Sequence, residues 1–478
     1  MNILVTGATG YMGGLLTPLL LAQGHVVTCL VRDPSRLAGQ QWDRVRLVRA
    51  DALLPETLAG TFDGIDIAYY LIHSMAGGEQ GFEERDRCAA RNFAAGAKAA
   101  GVKRIVYLGG LGGHAGKLSS HLQSRHETGE VLREYGPPVT EFRAAIIVGN
   151  GSTSFEIIRY LTERLPLMVC PRWVVTRVQP IAVADVLAYL LAALDEPRAA
   201  GQVLEIGGAT VETYASMMRT YASVRGLQRR LLRVPVLTPR LSSYWLDLVT
   251  PIPPAISRPL IEGLRSEVIC TNNRAAEVFT GIYPVSYEES VRQAVNRGPG
   301  GDPPLEVGQK HALVRSHGLI RDIRQTVIQA DPASVFAIVE KIGGHRGWFY
   351  ANSLWSLRGL IDRAFGGIGM RRGRSHPNTL STNDMVDFWR VDAVEPDRLI
   401  RLRAEMKLPG RAWLQFQFTP HGGGTLLRTT AIFEPLGLLG EIYWSVLYPA
   451  HAFIFNGMHR VIAAVAERRA SPVPPTIT

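Results

Sequence analysis

Ile3-Leu4-Val5-Thr6-Gly7-Ala8-Thr9-Gly10-Tyr11-Met12-Gly13 opens the chain, and its reading decides the first fold. An apolar, β-branched run gives way to glycines at 7, 10 and 13, and a helical pattern follows. A phosphate-cradling turn needs this order: Gly7 for the sharp bend, Gly10 for backbone approach to a pyrophosphate, Gly13 for close helix–strand packing. The helix then turns its unsatisfied N–H groups and the positive end of its dipole towards the diphosphate. A bare glycine triplet is weak evidence. Here a strand precedes it and a second, Val26–Val31, follows about twenty residues on, as a βαβ unit requires. Pro18 lies within the intervening helix, beyond the phosphate-facing turn, and is expected to shorten or kink it.

Outward from this turn the alternation continues. Strand-like runs at 2–6, 26–31, 45–50, 65–71, 104–108, 140–148 and 202–206 are separated by helical stretches that include 82–100, 120–134 and 213–225. The pattern predicts an α/β Rossmann domain with a doubly wound parallel sheet. At 231–265 the alternation stops and the chain becomes rich in Pro and aromatics, read as a small helical substrate lobe, so that the first domain spans 1–298. The stretch GPGGDPPLEVG at 298–308 marks a linker, placed at 299–312. Beyond it, strand-like runs at 318–330, 384–391, 399–406, 413–418 and 424–433, a short helix at 332–341 and a long amphipathic helix at 439–468 predict an α+β helix-grip domain over 313–470. Residues 471–478 form a flexible tail.

The chain has 478 residues, too many for one ordinary core, and a formal net charge of +10. That charge favours anionic partners, but the Arg residues are scattered along the chain, which argues against nucleic acid. Cys29, Cys88, Cys170 and Cys270 are far apart, with neither a metal-ligand spacing nor a disulfide framework, and fit a reducing cytoplasm. No secretory signal is read at the N-terminus. The apolar stretch 436–466 is interrupted by Glu441, His451, Asn456, His459 and Arg460, which argues against a spanning helix. Its amphipathicity and the basic charge allow peripheral contact with the inner membrane from a cytoplasmic location.

The tip of the second strand chooses between dinucleotides. An acidic residue there would bind the ribose diol of NAD(H), whereas Arg32, with Arg36 behind it, can clasp the 2′-phosphate of NADP(H). NADP(H) is the expected cofactor; Asp33 keeps NAD(H) as the alternative, because one residue of register decides which side chain faces the ribose. Asp51, after the third strand, is placed to hydrogen-bond the adenine amino group. Thr6, Gly7, Thr9, Gly10, Tyr11, Met12 and Gly13 around the turn, with Leu71 at the end of the fourth strand, complete the expected cofactor set.

With these stretches in view, residues 1–298 resemble an atypical or extended short-chain dehydrogenase/reductase of the NmrA-like, NAD(P)H-binding group, close to the reductase-like accessory subunit of respiratory complex I. The resemblance rests on TGATGYMGG, VRD, the AD after the third strand and RIVYLGGLGG, with Arg143 in FRAAIIVG and Asp185 in IAVADVLAYLL. Active members of that superfamily carry a Tyr four residues before a Lys, and a Ser on the preceding loop. The Tyr protonates the substrate oxygen; the Lys lowers its pKa and holds the nicotinamide ribose. Here the stretch reads His121-Leu122-Gln123-Ser124-Arg125, and Gly109-Gly110 stands in place of the Ser loop. The resemblance therefore makes His121 the candidate proton donor and Arg125 the candidate ribose or phosphate ligand, while the usual reductase mechanism is not supported.

Residues 305–469 resemble an uncharacterised domain fused to such reductases and, distantly, START-like helix-grip proteins that bind lipids or polyketides. Trp348, Trp355, Trp389, Trp413 and Trp444 are read either as lining an apolar cavity or as filling a core, with Arg371, Arg372 and Arg374 at its mouth or on a solvated face. The functions carried forward are an oxidoreductase acting on a hydrophobic carbonyl or quinone, and a non-catalytic NADP(H)-binding sensor or assembly factor with an apolar-ligand-binding C-terminal domain. Oligomeric state is left open.

Overall fold

In β1 (Asn2–Thr6) every residue after the first is buried, and the alternation of its side chains splits them between two cores. Ile3 and Val5 pack with Leu16 and Leu20 of α1 (Tyr11–Ala22) on one face, and Leu4 packs with Phe93 of α2 (Phe82–Ala99) on the other. A strand covered on both faces is continuously apolar, as this one is. The computed structural model describes the chain except residues 38–41, 43, 74–80, 113–118, 235–249, 251, 253–262, 264–265, 297, 301–304, 306–308, 377 and 471–478. The chain divides into the units Met1–Arg297 and Gly298–Thr478. The expected helical lobe at 231–265 opens instead with a strand, Arg230–Arg233, paired in parallel with Leu167–Cys170, and most of its remainder, much of the linker and the tail at 471–478 lie outside the described residues.

The first unit holds a seven-stranded sheet. Its remaining strands are β2 (Val26–Val31), β3 (Val45–Arg49), β4 (Ile67–Tyr70), β5 (Arg104–Gly110), β6 (Val139–Ala144) and Val203–Ile206. The spatial order is Val203–Ile206, β6, β5, β4, β1, β2, β3, and every pairing is parallel. This is the expected Rossmann topology, with its order reversing between β1 and β4, where ligands of open α/β sheets bind. Pro18 neither shortens nor visibly breaks α1, which runs through it to Ala22. The strand expected at 140–148 is split into β6 and Ile147–Val148, because Ala145 and Ile146 leave the sheet to wall a cavity.

The second unit is built on an eight-stranded antiparallel sheet ordered His311–Ser316, Leu319–Ile328, Gly424–Pro435, Gly410–His421, Leu399–Ala404, Trp389–Glu395, Met385–Asp387, Arg371–Gly373. The helix Gly437–Ala470 packs on Leu319–Ile328 and Gly424–Pro435, giving the helix-grip arrangement. The first hairpin turns at His317 and Gly318, both at positive φ (55° and 70°), as a tight two-residue connection demands. Of the alternatives left open for the tryptophans, the core reading describes the packing. Trp348 stacks on Trp355 at 4.4 Å, Phe388 lies parallel to Trp348 at 6.3 Å, and Trp389 and Trp444 belong to the same buried cluster. Trp413 is also buried, under the Arg411 guanidinium. Arg374 does not stand at a mouth: its guanidinium donates to the Ile342 and Glu340 carbonyls at the end of the helix Pro332–Val339.

Candidate functional site

The turn between β1 and α1 admits only glycine at its critical points. Gly7 has φ +67°, and a Cβ there would lie 2.5 Å from the Leu71 carbonyl oxygen. A Cβ at Gly13 would lie 2.3 Å from the Gly7 carbonyl oxygen. The backbone is thus pressed flat against β4 and against itself, and Gly10, as N-cap, leaves the first-turn N–H groups of α1 without a side-chain cap. A cavity of about 740 Å³ opens over this turn. Gly7, Thr9, Gly10, Tyr11, Met12, Gly13, Arg32, Asp51, Leu71, His121 and Arg125 all line it. Thr6 is placed behind it: its buried hydroxyl donates to the Tyr69 carbonyl at 3.0 Å and accepts from the Leu71 N–H at 2.9 Å. It pins β1 to the end of β4, so any part it has in the cofactor site is indirect.

At the adenosine end, Arg32 and Arg36 both face the cavity. Asp33 does not line it: its carboxylate caps the following turn, accepting from the Ser35 N–H at 3.0 Å and the Ser35 hydroxyl at 2.7 Å. Those bonds hold its carboxyl below the usual carboxylate range. Asp51 lines the cavity while accepting from the Leu53 N–H at 3.0 Å.

At the other end stands α3 (Ser120–Tyr135), capped by the Ser119 hydroxyl on the Leu122 N–H. His121 and Arg125, four residues apart, share the face turned to the cavity, while Ser124 and Thr128 are buried. Arg125 is fixed rather than waving in solvent. Its guanidinium donates to the Leu108 carbonyl of β5 and lies 5.5 Å from the Tyr107 ring centre, and the Tyr107 hydroxyl donates to the Arg125 carbonyl at 2.8 Å. Gly109 and Gly110 contribute bare backbone to the cavity where the resemblance places a Ser.

His73, two residues after Leu71 at the C-terminal end of β4, was missed in the sequence. Its ring centre lies 4.8 Å from that of His121, and its Nδ1 is 3.6 Å from Asp86 Oδ2. Asp86, buried on α2, also accepts from the Ser124 hydroxyl at 3.3 Å. Neither ring nitrogen of His73 has a hydrogen-bond partner among the described residues, nor has His121 Nδ1. Burial, His73 and the Arg125 cation together push His121 down to about 3. Burial and Arg125 also lower His73, against the pull of Asp86. Both imidazoles are therefore neutral near pH 7, each with one N–H to donate and one nitrogen to accept. The signal for His73 was its place at a strand tip beside the topological switch point.

Arg143 and Asp185, which match the resemblance, hold structure. Arg143 Nε donates to the fully buried Glu141 at 2.7 Å, and Asp185 accepts from the Val285 N–H at 2.9 Å.

Residues 7–163 match the family described as NAD(P)H-binding. The N-terminal unit therefore carries an NAD(P)H-binding domain. Residues 317–458 match a family described as a protein of unknown function (DUF2867). The ceramide reductase of Caulobacter vibrioides is 28% identical over 235 residues, 49% of this chain and 73% of that protein. A photosystem II assembly factor of Cyanophora paradoxa is 23% identical over 239 residues, 49% of this chain and 72% of that protein. Among solved structures, the triphenylmethane reductase of a Citrobacter species superposes with a TM-score of 0.51 at 20% identity, covering 62% of this chain and all (100%) of that one. At that identity the likeness establishes the fold of the NAD(P)H-binding domain alone. Among the described residues no helix is long and apolar enough to cross a membrane.

Proposed function

We propose that this chain is an NADP(H)-dependent oxidoreductase acting on a hydrophobic carbonyl or quinone. The observation that carries the reading is the continuity of the cavity. It runs from the glycine turn past His73, His121 and Arg125 to an end walled by Leu122, Ile146, Ile157, Ile158, Leu161 and Met218. A dinucleotide on the turn and an apolar molecule at the far end would meet beside the imidazoles and the guanidinium.

The preference for NADP(H) is supported by the division of labour after β2. Asp33 is occupied with Ser35, and the cavity wall receives Arg32 and Arg36, whose forked donors suit a 2′-phosphate. Bound NADPH supplies a hydride. The chain's own residues then have to hold the charge that gathers on the acceptor oxygen. Neutral imidazole N–H groups and a fixed guanidinium do this without a Tyr, as hydrogen-bond donors in a sheltered site.

Stopped-flow oxidation of bound NADPH by a panel of quinones and aromatic aldehydes tests the proposal, with acceptor-dependent decay expected. Tight NADPH binding with no acceptor-dependent decay would instead support the second reading, a non-catalytic NADP(H) sensor or assembly factor. That reading draws support from the absence of the Tyr–Lys pair from α3 and from Gly109-Gly110 standing where the resemblance places the Ser.

A further inference from the structure

We propose that the helix Asn352–Ala364 and the first half of the helix Gly437–Ala470 form one apolar, basic-rimmed surface that docks on an anionic lipid bilayer. The observations lie within the second unit and are independent of the cavity.

Both helices present large apolar side chains to solvent. On Gly437–Ala470, Leu439 (74% exposed), Ile442, Val446 (70%) and Phe453 follow one another at spacings of three, four and seven residues, a single stripe along the helix. At 1.5 Å per residue that stripe is about 21 Å long. The opposite side of the same helix is already spent on the core, through Trp444, Phe455 and Met458. On Asn352–Ala364 the core takes Trp355, and Leu357, Leu360, Ile361 and the following Phe365 (73%) remain outside.

Contacts near both ends tie the two helices together through neighbouring segments. Tyr350, just before Asn352–Ala364, packs on Phe453 at 5.2 Å and covers Gly457, where a Cβ would fall 2.1 Å from its ring. Beyond the other end, the segment 407–409 bridges them. The Lys407 N–H donates to Asp362 at 2.8 Å, and the Pro409 carbonyl accepts from the Leu436 N–H at 2.9 Å and abuts Gly440. The two exposed apolar rows are therefore carried by helices held to each other through Tyr350 and the segment 407–409. Contiguous apolar surface of this kind marks an interaction site rather than scattered exposure.

Charge identifies the occupant. The acidic groups on these elements are buried or paired: Asp362 accepts from the Gly369 and Lys407 N–H groups, and Glu441 is bonded to Arg315. The cations at the rim are turned outward. Arg363 and Lys407 are exposed, with no ion-pair partner among the described residues, and the Arg358 guanidinium reaches only the Lys407 carbonyl at 3.3 Å. Aliphatic and Phe side chains within a basic rim match the interface of an anionic membrane, where the apolar stripe enters the acyl boundary and the cations meet headgroups. With no described helix able to span a bilayer, such contact is peripheral.

The test is co-sedimentation of the full chain with vesicles of phosphatidylcholine alone and of phosphatidylcholine with phosphatidylglycerol. Binding to the anionic vesicles is expected, weakening as salt rises. The exposed double substitution L439D/V446D should lower partitioning about tenfold or more. R363E/K407E should remove the preference for phosphatidylglycerol while leaving the apolar stripe intact. Circular dichroism and the melting profile report whether each variant folds. Protein that stays in the supernatant with both vesicle types overturns the proposal, as does equal pelleting of a folded L439D/V446D variant. Light scattering that reveals a dimer dissolved by L439D/V446D, with no vesicle binding by the parent chain, overturns it in favour of a second copy as occupant.

Discussion

His73 and His121 come from different elements, one from the end of β4 and one from the first turn of α3, yet their rings lie 4.8 Å apart in the cavity wall. Each has a buried nitrogen without a hydrogen-bond partner among the described residues. Unpartnered buried polar atoms cost free energy, and a ligand that supplies their missing bonds recovers it. On the proposed oxidoreductase reading, the pair offers the acceptor a polar contact point. H121F should therefore reduce acceptor-dependent NADPH oxidation by roughly 10²-fold. H73Q should slow it less, because an amide keeps a donor and an acceptor. Equal NADPH affinity in parent and variants, measured by fluorescence titration, would place the loss in the reaction rather than in binding.

Arg32 and Arg36 face the cavity, and Asp33 is tied to Ser35. If the guanidinium of Arg32 holds the 2′-phosphate, R32E removes a charge-assisted contact worth roughly 1.5–3 kcal/mol. NADPH affinity should then fall by about ten- to a hundredfold. NADH, without that phosphate, should bind the variant about as well as it binds the parent. Titrations with both nucleotides check this, and an equal loss for the two would point to a general collapse of the site.

Gly7 is the point where chemistry and sterics meet most tightly. G7A would force a Cβ to within 2.5 Å of the Leu71 carbonyl at φ +67°, a conformation that also costs an L-residue about 1–2 kcal/mol. Relief requires the turn to lift away from β4, which misaligns the N–H groups of α1. The expected outcome is loss of NADPH binding by tenfold or more, with the β1–β4 sheet retained in circular dichroism.

The first unit was legible because local signals and tertiary demands agree there. β1 is buried on both faces and reads as a continuous apolar run, and the glycines stand where backbone meets backbone. The parts that were not legible depend on distant partners. His73 follows β4 in a stretch without periodicity, and Asp86, which faces it, looks like any charge on a helix. Thr6 reads as part of the phosphate turn, yet its hydroxyl is consumed by Tyr69 and Leu71. Arg374 sits in a basic run that suggests solvent or an anion, while its actual partners are carbonyls at a helix end. Asn352–Ala364 escaped for the opposite reason: its leucines point outward, so no core-facing apolar stripe announces the helix.

Glu141 is fully buried in β6 between Arg133 and Arg143. Its carboxylate also fills the space above Gly129 of α3, where a Cβ would come within 2.4 Å of Oε2. E141A strips two guanidinium groups of the buried carboxylate they share and leaves a cavity in its place. A loss of about 3–5 kcal/mol is expected, read as a lower denaturant midpoint for the first unit. E141Q preserves shape and should cost less, and that ordering separates lost charge from lost packing.

The second unit carries its own pH dependence through the helix Gly437–Ala470. His459 is buried between the Thr326 and Thr429 hydroxyls, and His451 lies against Trp444 and Phe455. Burial pushes both down to about 4 from an ordinary value of 6.5. The unfolded chain therefore takes up protons as pH falls through 6.5, while the folded unit takes them up only near 4. Stability should accordingly be fully present above pH 6.5 and be lost as pH falls towards 4, by up to ~1.4 kcal/mol per pH unit for each group. Acid titration followed by the fluorescence of the buried Trp348–Trp355 stack measures this slope. H451L replaces an imidazole whose Nδ1 is buried without a partner by an apolar group that packs on Trp444 and Phe455. It should flatten the acid limb while leaving stability near neutral pH almost unchanged, whereas H459A, which strands two threonine hydroxyls, should lower stability at every pH.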